Sequence, residues 1–193
     1  MKLIELIIDE NEEFSGIDAI SIVEHPAIEE NFVALKDEQK VYLAEVNKEK
    51  RILMGAALVP NKPIYRTNGD EEYYIYFKEE TIEKASQMFL KKGNQGNSTL
   101  EHKDKLKDLT VVESWIVEDP QKDKSALYNL NVPKGTWMVS VKVDNDEVWN
   151  EQVKLGKVKG FSIEGYFADN IEKKEVEEDF EAELIKQIAK MLT

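Results

Sequence analysis

The amino-acid sequence predicts a β-rich α+β fold: a closed or strongly curved β-barrel flanked by helices, with an amphipathic helix at its C-terminal end. Three observations carry this. Short apolar runs with period-two alternation recur through the first 170 positions, separated by Gly, Pro and Asn-Gly or Asp-Asn turn signals. Helical periodicity appears in only two places before position 170. After Asp169-Asn170 the composition turns charged and helix-prone.

In chain order, Lys2 to Asp9 reads as a strand, with Leu3, Ile4, Leu6, Ile7 and Ile8 nearly continuous. Ile17 to Val23 is β-branched and extended, and His25-Pro26 breaks it, because the residue before proline is pushed out of the helical region. Phe32 to Leu35 and Val41 to Val46 read as weak strands. Arg51 to Val59 is a stronger one, ended by Pro60 and Pro63. Glu72 to Phe77 is aromatic and alternating. A helix then runs from Lys78 to about Lys92 with Ile82, Ala85, Met88 and Phe89 on one face, and Gly93 stops it. Leu109 to Val117 is a strand, and Leu127 to Asn131 reads as a local pairing. Thr136 to Val143 places Trp137, Val139, Val141 and Val143 on one face. A short helix spans Asp146 to Leu155, and the run from Gly160 is a strand. Positions 1–170 thus form one domain. Positions 171–193 form an acidic amphipathic helix, with Phe180, Leu184, Ile188 and Leu192 four apart.

Composition narrows the function. With 41% hydrophobic and 34% charged residues, the chain can bury a core beneath a charged surface. A net charge of -13 argues against binding nucleic acid, whose phosphates need basic partners. No apolar run approaches a membrane span, and the acids near Met1 interrupt any signal-peptide core. The absence of cysteine removes disulfides, thiolate metal sites and a cysteine nucleophile. With two histidines besides, no metal site and no cofactor are expected.

The stretch with most chemical content is Gly160-Phe161-Ser162-Ile163-Glu164-Gly165. Its glycines would let another backbone, or a substrate, approach the serine. Serine needs a base to take its proton, and the chain offers His25 and His102. A histidine's ordinary pKa near neutrality suits it to act first as base and then as acid. His102 and Ser162 are sixty positions apart, so only a fold can join them. The second glycine comes one position too late for the Gly-x-Ser-x-Gly elbow of hydrolases. On the residues alone, Ser162 as an ordinary strand residue and His102 as a solvated loop histidine remain the alternative. Glu113 is a lone acid within Val111-Val112-Glu113-Ser114-Trp115, and such a charge is costly unless partnered. It could orient an imidazole; alternation gives it the face of Val111 and Trp115, which could equally be solvated.

Several segments, taken in order, resemble one family. They are Leu58-Val59-Pro60, Glu101-His102-Lys103, Val112-Glu113-Ser114-Trp115, Lys134-Gly135-Thr136-Trp137-Met138, Trp149 and Gly160 to Gly165. Across about residues 51–167 the chain resembles the XkdF-type prohead proteases of tailed phages, regarded as relatives of the herpesvirus assemblin fold. The resemblance implies an assemblin-like serine endopeptidase domain over 1–170, with Ser162 as nucleophile and His102 as base. It implies capsid and scaffold proteins as substrates, including the capsid-protein leader. It extends to self-cleavage, for which Ile22-Val23-Glu24 and Ile28-Glu29-Glu30 are candidate segments, and to homo-oligomers. The setting would be the host cytoplasm, inside the assembling procapsid. In assemblin-type enzymes the third member follows the serine, which points to Asp169 or the acids from Glu172 onward rather than to Glu113. Their oxyanion-binding arginine segment has no counterpart beside Ser162 in sequence, since the only arginines are Arg51 and Arg66. The other reading is a catalytically inactive protease-fold scaffold or internal capsid protein.

Overall fold

The structure is a computed structural model that describes residues 2–9, 11–28, 33–35, 50–69 and 71–170. The chain begins with strands β1 (Lys2–Ile7), β2 (Gly16–Val23) and β3 (Val33–Leu35). Strands β4 (Ile52–Leu58), β5 (Ile64–Asn68) and β6 (Glu71–Tyr76) lead into helix α1 (Glu79–Lys91). Then come β7 (Ser98–Leu100), β8 (Asp104–Leu106), β9 (Leu109–Ile116) and β10 (Trp137–Val143). The short helix α2 (Asp146–Val148) widens into a π-turn through Val153 before β11 (Gly160–Tyr166) and β12 (Ala168–Asp169).

These strands form three four-stranded sheets, ordered β12-β1-β6-β5, β3-β4-β10-β9 and β11-β2-β7-β8. The closed barrel expected from the sequence is not formed. Among the described residues no backbone ladder joins one sheet to the next, so each keeps two edges. The chain passes from β11 through Phe167 directly into β12, which pairs with β1 of a different sheet. Side chains rather than hydrogen bonds therefore fill the seams. Period-two patterning reports which residues are buried and is silent on which edges meet. Among the described residues both helices expected before position 170 are present, but α1, at 13 residues, is the one long enough to cover a face. The expected helix over 171–193 and the weak strand at 41–46 lie outside the described residues. Among those described, no helix is long and apolar enough to cross a membrane.

Local chemistry explains most elements. Helix α1 has Glu79 and Glu80 in its first turn and Lys91 in its last, complementing the helix dipole. It buries Ile82, Ala85 and Phe89, and the Phe89 ring meets Trp137 edge-on with centroids 5.6 Å apart. Gly93 continues the chain in the left-handed region at φ 74°. Strand β10 is buried on both faces, Trp137, Met138, Val139, Ser140 and Val141 alike, with Phe89 of α1 packed on Trp137. One-sided alternation was therefore the wrong pattern for it. The local pairing expected at Leu127 to Asn131 is instead a 3-10 turn over Lys124–Tyr128, with Asp123 accepting from Ser125 N.

Candidate active site

Strand β2 is the axis of the site. It pairs antiparallel with β11 on one side and parallel with β7 on the other. Ser21 on β2 stands opposite Ser162 on β11 and opposite Thr99 on β7. Paired residues share a face, so three hydroxyls run in a row across one face of the sheet. All three are buried. The other face carries Phe161, Ile22 and Leu100, which anchor the strands in the core.

His102 reaches this row through a tight turn between β7 and β8. Lys103 N donates to Leu100 O at 3.0 Å, with Glu101 and His102 between them at φ 50° and 57°. Two successive left-handed residues are what mirror-type hairpin turns demand, and Asn-Gly is the sequence that adopts them most readily. Here a glutamate and a histidine hold those positions, at a cost of about 1–2 kcal/mol each. The turn is clamped onto β2. Glu101 N donates to Ile22 O (3.2 Å), His102 N to Ser21 Oγ (3.1 Å), and Glu24 N to Glu101 Oε1 (2.6 Å). Strain of this kind persists where surrounding contacts over-determine it, and it concentrates at functional sites.

Glu164 lies two residues after Ser162, on the same face of β11. Its neighbour across β2 is the small Ala19, which leaves its side chain room to pass. Glu164 Oε1 accepts from Thr99 Oγ1 and meets His102 Nδ1 at 3.1 Å. The pair is partly exposed, with side-chain exposure of 42% for His102 and 31% for Glu164. Nε2 is then the imidazole nitrogen left to exchange a proton with a reacting group. Among the described residues no hydrogen bond joins Ser162 Oγ to that ring. The two are linked through β2: Ser21 stands opposite Ser162, and its Oγ accepts from His102 N.

Glycine permits the close packing behind the serine. A methyl group on Gly165 would lie 2.0 Å from the backbone oxygen of Gly16. A register shift at Glu164/Gly165, with Gly165 opposite Ile17, marks the same place.

The sequence-derived candidates fare differently. Ser162 and His102 are brought to one sheet and one face. Glu113 is placed elsewhere, on β9 opposite Ser140 of β10. Its carboxylate accepts from Lys124 Nζ and from Ser140 Oγ, each at 2.5 Å. The Lys124 hydrogen bond, then that from Ser140, holds its carboxyl below the usual range against the opposing effect of burial. Its expected partnership with His102 is not made; the imidazole meets Glu164 instead. Glu113 belongs to a different sheet, and a bulge sets its facing there. Val111 pairs with Val141 and Glu113 with Ser140, so Val112 is an extra residue and the strand's facing reverses there. Asp169 lines a cavity with Ser162 but makes no ion pair with His102. His25 is exposed and lies within 4.0 Å of Glu24, away from the serine row. Glu164 was legible in the sequence as the residue two after the serine on an alternating strand.

A family model described as "Putative phage serine protease XkdF" matches residues 40–172. No curated protein matches the chain, and no solved structure does. The matched span is more than two thirds of the sequence and includes both the His102 turn and the Ser162 strand. The chain belongs to the XkdF family of phage serine proteases.

Proposed function

We propose that the chain is a serine endopeptidase in which Ser162 is the nucleophile, His102 the base and Glu164 the orienting acid. The observation that carries this is the His102 Nδ1 contact with Glu164 Oε1, made from a strained turn tied to the strand opposite Ser162. Ser162 Oγ attacks the scissile carbonyl as His102 Nε2 takes its proton. Glu164 stabilises the imidazolium that results and fixes the tautomer with Nδ1 protonated. The imidazolium then protonates the leaving amine, and water repeats the sequence on the acyl-enzyme.

Membership of a phage protease family supports substrates found in an assembling capsid: scaffold protein and the leader of the capsid protein, cut inside the procapsid in the host cytoplasm. Self-cleavage is part of the same reading, but not at Ile22-Val23-Glu24 in the folded chain. Ile22 and Val23 are buried in β2 between two partner strands, where no protease can extend them. Co-expression of the chain with capsid and scaffold proteins of the same phage tests the reading. Processing is expected with the wild-type chain and none with Ser162→Ala, a loss of about 10⁶ in turnover for a nucleophile of this kind. Processing by a well-folded Ser162→Ala protein would refute it.

A further inference from the structure

A cavity of about 310 Å³ opens beside the serine strand. One wall is the inner face of sheet β12-β1-β6-β5, with Leu6, Ile64, Tyr73, Ile75 and Arg66. The opposite wall is β11, including Phe161, Ser162 and Ile163. It is one of the seams that the three unclosed sheets leave between them. Its lining mixes apolar side chains with Tyr73, Ser162 and Tyr166, and it carries a charge at each end. Asp169 stands on β12 and Arg66 on β5, at opposite edges of a four-stranded sheet. Three strand spacings of roughly 4.8 Å put them at least about 14 Å apart, too far to neutralise each other at a surface.

Among the described residues no carboxylate pairs with Arg66. Its Nη1 donates to Tyr65 O at 2.9 Å. The facing residue across the ladder is Tyr73. Burial pushes the guanidinium below its ordinary value, although it stays charged. A second cavity, lined by Glu24, His25, Pro26, Ala27, Tyr65 and Lys159, also ends on Arg66; its one carboxylate, Glu24, is engaged by Lys159 at 3.6 Å, and the guanidinium stands where the two cavities meet. In a chain of net charge -13, an arginine left unpaired between two cavities is an exception that calls for a ligand.

We propose that the seam between β5 and β11 receives the substrate chain, and that Arg66 pairs with an acidic side chain of that substrate while the apolar wall takes its neighbours. A guanidinium matches a carboxylate in two parallel hydrogen bonds, and its partial desolvation is offset once the pair forms. Arg66 acts here as a specificity residue, since nothing assigns it a part in bond breaking. The proposal rests on the protease reading above, and its test is separable from that reading.

The probe is a set of fluorescein-labelled nonapeptides of Ala, Val and Ser. A single Glu is walked through the set, and each peptide has a Gln counterpart. Binding to the full-length Ser162→Ala chain is measured by anisotropy. At one position Glu should bind about tenfold or more tighter than Gln, the value of a charge-assisted hydrogen bond. Arg66→Gln should erase that difference and leave the Gln peptide's affinity and the melting temperature near those of the parent. Equal binding of Glu and Gln peptides at every position, or binding of neither, overturns the proposal. So does a preference that survives Arg66→Gln. Fluorophosphonate labelling of Ser162 in the wild type and in Arg66→Gln reports the protease reading separately. Labelling of both is expected, and its absence in the wild type overturns the nucleophile assignment itself.

Discussion

Replacing His102 with glycine should abolish cleavage and leave the protein more stable than replacing it with alanine. His102 sits at φ 57°, where a side chain costs about 1–2 kcal/mol and glycine costs almost nothing. Both variants lose the same imidazole and the same half-exposed contact with Glu164, which is worth at most about 1 kcal/mol. Both keep the backbone bond from position 102 to Ser21 Oγ, which needs no side chain at 102. The difference between them therefore isolates the left-handed backbone. Glycine's greater freedom in the unfolded chain returns roughly 0.5–1 kcal/mol of the gain. The net advantage of His102→Gly over His102→Ala is then about 1 kcal/mol. For a chain of 193 residues that is about 2–4 °C in melting temperature. Thermal melts of the two variants, with peptide cleavage measured in parallel, decide the matter. Equal melting temperatures, or a more stable alanine variant, would refute the strained turn. Retained cleavage in either would refute His102 as the base.

The remaining predictions concern the acids and the glycine behind the serine. Glu164→Gln should lower turnover by about 10²–10⁴ with little change in KM, because it removes charge that stabilises the imidazolium and spares substrate contacts. Glu113→Gln should cleave at a near wild-type rate; if it collapses while Glu164→Gln does not, the third member is misassigned. Glu113 has a depressed carboxyl pKa in the folded state, so its stabilising effect is present above the unfolded carboxylate's value and fades as pH falls through the folded one. Urea melts at neutral and acid pH should show the wild type losing its advantage over Glu113→Gln only in the acid range. Gly165→Ala should unfold the protein or cost roughly 3 kcal/mol, since the added methyl falls 2.0 Å from Gly16 O; a stable Gly165→Ala protein contradicts the packing of β11 on β2.

Much of the strand content was legible because burial imposes the period that the sequence shows. Strands β4, β6, β9, β10 and β11 fall within a residue or two of the apolar runs that announced them, and α1 ends at the glycine that marks it. What escaped is short or paired through polar residues. Strands β7 and β8 have three residues each, and Ser98-Thr99-Leu100 carries no alternation to read. Their existence depends on pairing with β2 and with each other, a long-range fact. Closure failed as an expectation for a related reason. A barrel and three seamed sheets bury the same alternating residues, and the unpaired edges of the three sheets tell them apart.

The site was partly legible, and the placement of Glu113 turns on one bulge. The apolar run around Glu113 made it look like an acid in need of a partner, and counting by twos put it on the face of Val111. The extra residue at Val112 reverses the count, so Glu113 leaves the core for Lys124 and Ser140. The same counting works on β11 up to Glu164, because the register shift there falls one residue later. Ser162 and Glu164 therefore share a face, and Glu164 could have been reached from the serine alone. Two-residue spacing is a weak signal, since every strand offers it. The turn at Glu101-His102 supplies what spacing lacks: a conformation these residues adopt only at a cost, aimed at the acid that follows the serine. A fold that spends this strain on a solvated histidine would gain nothing from it. The bonds to Ser21 Oγ and Ile22 O and from Glu24 N hold the turn, and with it the imidazole beside Glu164.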